Sequence, residues 1–240
     1  MLAEANPFVF FGQAHLAAIA VTVAVPVVLI AAARGAGSAA VTRWIARSLA
    51  GVLIASEIVY YCHGLATMEL GDFLKDHLPL HICGVGLYLT AWVLVRPNQF
   101  AYELAYFWGL AGTLQAVITP NLVDGFPSYA FVQFFITHGG IVAGVLFATL
   151  AMNMRPKRRA VLRAFLLTNV LMLVLIPINL LLDANYMFIC GAPKGEAIFF
   201  FLDWPWYILF MEPVCLGLIT ILYLPFWRSN RRQGGVAGSR

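Results

Sequence analysis

FGQAHLAAIAVTVAVPVVLIAAA, residues Phe11–Ala33, runs for 23 residues without a charged side chain. As a helix rising 1.5 Å per residue it covers about 35 Å, enough to cross a hydrocarbon core of about 30 Å. It is too long for a signal-peptide core, it follows the acidic Glu4, and it lacks a small-residue cleavage site. It therefore reads as a retained membrane helix.

Six further apolar runs follow at Trp44–Ala66, Leu78–Val95, Tyr102–Thr119, Ser128–Met152, Val161–Asp183 and Pro205–Phe226. Short breaks rich in Gly, Pro and Asn separate them, such as Arg96-Pro-Asn-Gln99 and the stretch from Pro120 to Pro127. The pattern predicts an all-α polytopic membrane protein: a seven-transmembrane-helix bundle over residues 1–226, then a short basic tail over 227–240. Composition excludes the other classes. Of the 240 residues, 62% are hydrophobic and 11% are charged, whereas a soluble domain carries about 25% charge. That is too little to coat a water-facing surface, so a soluble enzyme, a disordered chain and a coiled coil are all ruled out. Seven spans also leave no length for a large soluble domain.

The net charge of +4 is topological and implies no nucleic-acid partner. Arg34, Arg43, Arg47, Arg96, Arg155, Lys157, Arg158, Arg159, Arg163, Arg228, Arg231, Arg232 and Arg240 fall on one side of the seven-span layout, and Lys75 and Lys194 on the other. The positive-inside bias then puts the N-terminus outside and the C-terminus in the cytoplasm. Trp44, Trp92, Trp204, Trp206 and Trp227 lie near the ends of runs, where an aromatic belt belongs.

Polar side chains inside the runs are costly and mark function or helix–helix contacts. They concentrate in the outer halves: His15, Glu57, His63, His77, His81, Cys83, Gln115, Gln133, His138, Asn179, Asp183 and Glu212. The expectation is a polar chamber open to the outer leaflet. His138 lies about 15 Å into its run and is followed by Gly139 and Gly140, so a neutral imidazole there is a candidate general base. Cys83 comes out shallower, at about 7–8 Å. His81 and Cys83 are two residues apart and face one chamber only if Pro79 makes the start of that helix irregular. Glu57, with Tyr60 and Tyr61 one turn on, is either a satisfied hydrogen-bonding group or a catalytic carboxylate. Glu212 precedes Pro213, whose missing N–H frees a carbonyl. Cys83 and Cys190 form a disulfide candidate on the outer side; alternatively Cys83 is a thiol nucleophile. The four cysteines show no clustered spacing, and no metal or cofactor is implied. Cys215 reads as packing.

Five stretches carry a family likeness: Leu78-Pro-Leu-His-Ile-Cys83, Gly112-Thr-Leu-Gln115 with Pro120-Asn121, Phe134-Phe-Ile-Thr-His-Gly139, Asn185-Tyr-Met-Phe-Ile-Cys-Gly191 and Trp204-Pro-Trp-Tyr-Ile208. In these the chain resembles the YwaF-like integral membrane proteins, a bacterial family related to the eukaryotic transmembrane acyltransferases that make arachidonoyl ether phospholipids. The resemblance covers the last two-thirds of the chain. It implies acyl transfer from an acyl donor to a lysophospholipid within a bacterial plasma (inner) membrane, with His138 and His81 at the histidine positions. In the eukaryotic relatives the cysteine immediately precedes the motif histidine; that place is Leu80 here, and Cys83 is the nearest thiol.

The leading reading is therefore an acyltransferase or acyl hydrolase acting on phospholipid or lysophospholipid in the outer leaflet. His138 is its base, Cys83 its possible nucleophile and His81 the third catalytic candidate. Gln115, Gln133, Asn185, Tyr186, Trp206, Glu57 and Glu212 are candidate substrate contacts. One competing reading is a small-solute or proton-coupled transporter built on Glu57 and Glu212; another is a non-catalytic sensor or assembly partner. Oligomeric state is not legible in the sequence.

Overall fold

Each apolar run folds as helix. The computed structural model describes residues 6–192 and 201–237, with side chains through residue 227. Lys194 and Arg240, and the side chains of Arg228, Arg231 and Arg232, lie outside the described residues. The elements are α1 (Gln13–Ala36), α2 (Ala39–Thr67), α3 (Leu70–Asp76), α4 (Ile82–Val95) and α5 (Gln99–Phe107). Helix α5 continues through a π-helical segment, Trp108–Gly112, into α6 (Thr113–Ile118). Next come α7 (Tyr129–Leu150), α8 (Ala160–Leu182), a 3-10 turn at Tyr186–Phe188 and α9 (Trp206–Ala237). Among the described residues there is no strand, only an isolated bridge between Pro7 and Asp124.

Local chemistry sets the boundaries. Asn98 and Ser128 cap α5 and α7, accepting from the amides of Ala101 at 2.9 Å and Phe131 at 3.2 Å. Gly37, at φ 58°, ends α1 in the left-handed conformation that glycine adopts most easily.

Helices α1, α2, α7, α8 and the Trp206–Trp227 part of α9 are each long and apolar enough to cross a membrane. Two expected spans look different. Helix α4 begins at Ile82, four residues later than its apolar run, because Pro79 cannot donate to a helix and His81 is extended (φ −71°, ψ 151°). Its 14 residues reach only about 21 Å. The expected span Tyr102–Thr119 is α5, the π segment and α6 in series.

Helix α7 is the centre, packed against α1, α2 and α4, and its membrane stretch is 50% buried against 17–22% in the other four spanning helices. Glycine makes this possible. A Cβ at Gly140 would sit 2.8 Å from Leu53 Cδ2, and one at Gly144 would sit 2.5 Å from Thr90 Cγ2. In lipid, where apolar surface alone does not drive helices together, such close backbone approach supplies the packing energy. The outer faces stay apolar and exposed, as at Val28, Leu173 and Leu181. In water these would be aggregation surfaces; in a bilayer they face acyl chains. The five tryptophans expected at the interface are all exposed, whereas Trp108 is buried and donates to Thr168 Oγ1 at 2.8 Å.

At the basic end, Arg34 donates to the Leu150 carbonyl, 2.8 Å from its Nη2. Glu103, fully buried on α5, pairs with Arg163 at 3.1 Å and also accepts from Gln99 and the Lys157 amide. One carboxylate thus ties α5, the α7–α8 loop and α8 together.

Candidate active site

His138 is the tenth residue of α7 and is 9% exposed, its ring stacked on Phe134 at 3.9 Å. Its Nδ1 is 2.9 Å from the Phe134 carbonyl. A carbonyl only accepts, so Nδ1 carries the proton and the neutral ring presents its lone pair at Nε2. That nitrogen has no hydrogen-bond partner among the described residues and is not sealed from its surroundings.

His81 is set the opposite way. As the residue before α4, its Nδ1 accepts from the Met187 amide at 3.2 Å, so the proton of the neutral ring is on Nε2. Met187 and Phe188 deliver that amide from left-handed backbone, φ 58° and 55°, a conformation costly for non-glycine residues and concentrated at functional sites. Tyr186 and Asn179 pin the turn. Asn179 bonds both the amide and the carbonyl of Tyr186, whose hydroxyl donates to Leu74 at 2.7 Å and accepts from the Leu78 amide at 3.0 Å. Tyr207 donates to the Phe188 carbonyl from α9.

Helix α4, which His81 precedes and which carries Cys83, packs against α7, which carries His138. Depth agrees. Cys83 lies twelve residues before the end of α4 and His138 twelve before the end of α7, about 18 Å from the basic side in both cases. The sequence placed Cys83 at half the depth of His138; the late start of α4 removes that gap. His81 is the extended residue before that helix, so the helical angle between it and Cys83 does not apply. The π segment flanks this level, with Gly112 against Ile82 and Gly109 against Ile141 and Val145. Such segments recur at functional sites.

The other candidates divide. Gln133 donates to Thr137 Oγ1, which is 3.1 Å from Ser56 Oγ, tying α7 to α2 at the residue before His138. Glu57 is buried one turn from Tyr61, whose hydroxyl is reached by that of Tyr88. Gln115 is half-buried on α6. Asn185 closes its own loop, bonding the Gly191 carbonyl and the Cys190 amide, and Tyr186 is a strut with no exposed surface. Trp206 is exposed at the start of α9. Glu212 accepts from Asn169 at 3.0 Å and joins α9 to α8. Glu57 and Glu212, the pair of the transporter reading, thus have separate neighbours. Cys83 and Cys190 both carry free thiols, so the disulfide candidate is not formed. Leu80, at the relatives' cysteine position, packs with Tyr186 and Ile189.

The remaining titratable groups serve the frame. His15 accepts the Phe11 amide and reaches the Val117 carbonyl at 2.9 Å; His63 stacks on Tyr129; His77 stacks on Tyr60 at 4.5 Å. Asp183 ends α8 and pairs with Lys75 of α3 at 2.7 Å, holding the ammonium above its ordinary range while its own carboxyl is held below.

Two cavities stand out, and neither is lined by His138, His81 or Cys83. One, about 290 Å³, lies under the N-terminal arm between His15 and Phe126; the other, about 320 Å³, is at the basic end. The polar chamber expected in the outer half is neither of these. Sequence reading passed over Glu103, although an acid inside an apolar run is the same signal that exposed Glu57.

Residues 10–223 match the model of the TMEM164 family. A protein of Treponema pallidum (strain Nichols), described as uncharacterized, is 27% identical over 225 residues, spanning 94% of this chain and 92% of its own length. No solved structure matches.

Proposed function

Because this chain belongs to the TMEM164 family, we propose that it is a membrane-embedded acyltransferase or acyl hydrolase acting on phospholipid or lysophospholipid. In this reading it is a seven-span protein of a bacterial plasma membrane, with the N-terminus outside and the reaction in the outer leaflet. Helix α4 and the α5–α6 series complete the seven. Support for the orientation comes from Arg34, Arg96, Arg155 and Arg163, which gather at one end of the bundle.

The observation that carries the chemistry is the opposed protonation of two histidines. His138 offers a lone pair at Nε2 and His81 offers a proton at Nε2. His138 takes the proton of the Cys83 thiol, and the thiolate adds to the ester carbonyl of the acyl donor. The negative oxygen that forms is met by the His81 N–H, the role of an oxyanion-hole donor. Collapse breaks the ester C–O bond; the leaving alkoxide takes the proton from His138 and departs as lysophospholipid. In the second half His138 deprotonates the hydroxyl of an acceptor lysophospholipid, which attacks the Cys83 thioester and regenerates the thiol. Water in place of the acceptor makes the same steps a hydrolysis. Cys83 lies at the depth of His138 on a helix that packs against α7, which favours it as nucleophile.

Purified protein in vesicles holding phospholipid and isotopically labelled lysophospholipid tests this. The expected result is labelled diacyl product or released fatty acid, with His138→Ala reducing the rate at least about 100-fold. A His138→Ala protein that folds and keeps full activity refutes the assignment.

A further inference from the structure

The basic end of the bundle holds a second site of different chemistry. Its cavity of about 320 Å³ lies between the start of α2 and the ends of α4 and α7, at the small end of the about 300–1,000 Å³ range of ligand pockets. Arg43 and Arg47 stand on one side; Ala46, Leu94, Val95 and Met152 form much of the apolar wall, and no acidic residue lines it. Four residues apart on a helix, the two arginines share one face, where like charges repel. Neither has a carboxylate partner among the described residues, whereas Arg163 has Glu103 and Arg34 has the Leu150 carbonyl.

Trp44 stands between them and is 70% exposed, the position of an interfacial aromatic, so the arginines lie at headgroup depth. Two guanidinium groups above an apolar wall fit a phosphate joined to hydrocarbon. A free phosphate ion would use the charges but gain nothing from the wall. Guanidinium forks bind phosphate oxygens bidentately, which a lone ammonium cannot do.

We propose that this cavity holds the headgroup of an anionic phospholipid from the leaflet at the basic end, its phosphate between Arg43 and Arg47 and its first acyl carbons against Leu94, Val95 and Met152. The site stands apart from the His138 chemistry and does not depend on it.

Native mass spectrometry of the full chain released from micelles tests the proposal, with phosphatidylglycerol, phosphatidylcholine or inorganic phosphate added. The expected result is one phosphatidylglycerol retained about tenfold more tightly than phosphatidylcholine, the difference lost in Arg43→Gln/Arg47→Gln and kept in Arg158→Gln. Each single variant weakens retention about threefold, which gives the same reading if the double variant fails to fold. Equal retention of the two lipids, or wild-type retention in the single variants, overturns the proposal. So does displacement of phosphatidylglycerol by millimolar inorganic phosphate, which would make the site one for a soluble anion.

Discussion

At the scale of single residues, backbone partners assign the chemistry. A carbonyl at Nδ1 of His138 and an amide at Nδ1 of His81 make one ring an acceptor and the other a donor at Nε2. No sequence pattern encodes this, because Met187 meets His81 across 106 residues of chain. His81→Ala should lower kcat about 10²–10³-fold with KM little changed, the signature of a lost oxyanion donor. An unchanged kcat in the vesicle assay would remove His81 from the site. What the sequence did reveal was the cost of placing His138, Glu57 and Cys83 among apolar residues. The same cue was present at Glu103, but its meaning rests on Arg163, 60 residues on, and on the Lys157 amide. Glu103→Gln leaves a cation without its buried partner. It should lower stability by about 3 kcal/mol, the low end for such pairs because Arg163 is partly exposed, read as a fall in melting midpoint in micelles.

At the scale of elements, the apolar runs located the helices but not their interruptions. The start of α4 follows from Pro79 and was foreseeable as an irregularity; its consequence, bringing Cys83 to the depth of His138, needed the far end of the helix as a reference. The π segment and α3 carry no periodic signature, since their form depends on what packs against them. Of the motif residues Asn185, Tyr186 and Trp206, two build the turn that serves His81, and the third is exposed at the start of α9. Close packing gives an element-scale prediction. Gly144→Leu drives a side chain into Thr90 and Leu94 and should cost about 1–3 kcal/mol, separating α7 from α4 and lowering the melting midpoint.

The Lys75–Asp183 pair clasps α3 to α8 and gives a pH prediction. The carboxyl is held below 3.8 in the folded protein, so its contribution is present at neutral pH and is lost as pH falls through that lowered value. The ammonium is held above 10.5, so its share is lost only as pH rises through that raised value. The gap in melting midpoint between wild type and Lys75→Ala should therefore be constant around neutrality and close in acid below pH 3.8. A gap that persists unchanged in strong acid contradicts the clasp.

At the scale of the whole molecule, the chain sets basic residues and an arginine-lined cavity at one end, and His138 and Cys83 about 18 Å away towards the other. Glycine contacts around α7 join the two levels. Composition and charge bias made the membrane class and the asymmetry legible, because both are sums over many residues. Cavities and partner choices are properties of packing and were not. Lipid chemistry in one leaflet and lipid anchoring in the other would follow naturally from such a division.

The most direct measurement is untargeted lipidomics of membranes with the wild-type chain, with His138→Ala and with no chain. Acyl transfer or hydrolysis at His138 predicts a shift in the phospholipid to lysophospholipid balance with the wild type, and profiles for the His138→Ala and chain-free membranes that coincide. A His138→Ala membrane that matches the wild type while the protein is folded and inserted would contradict it.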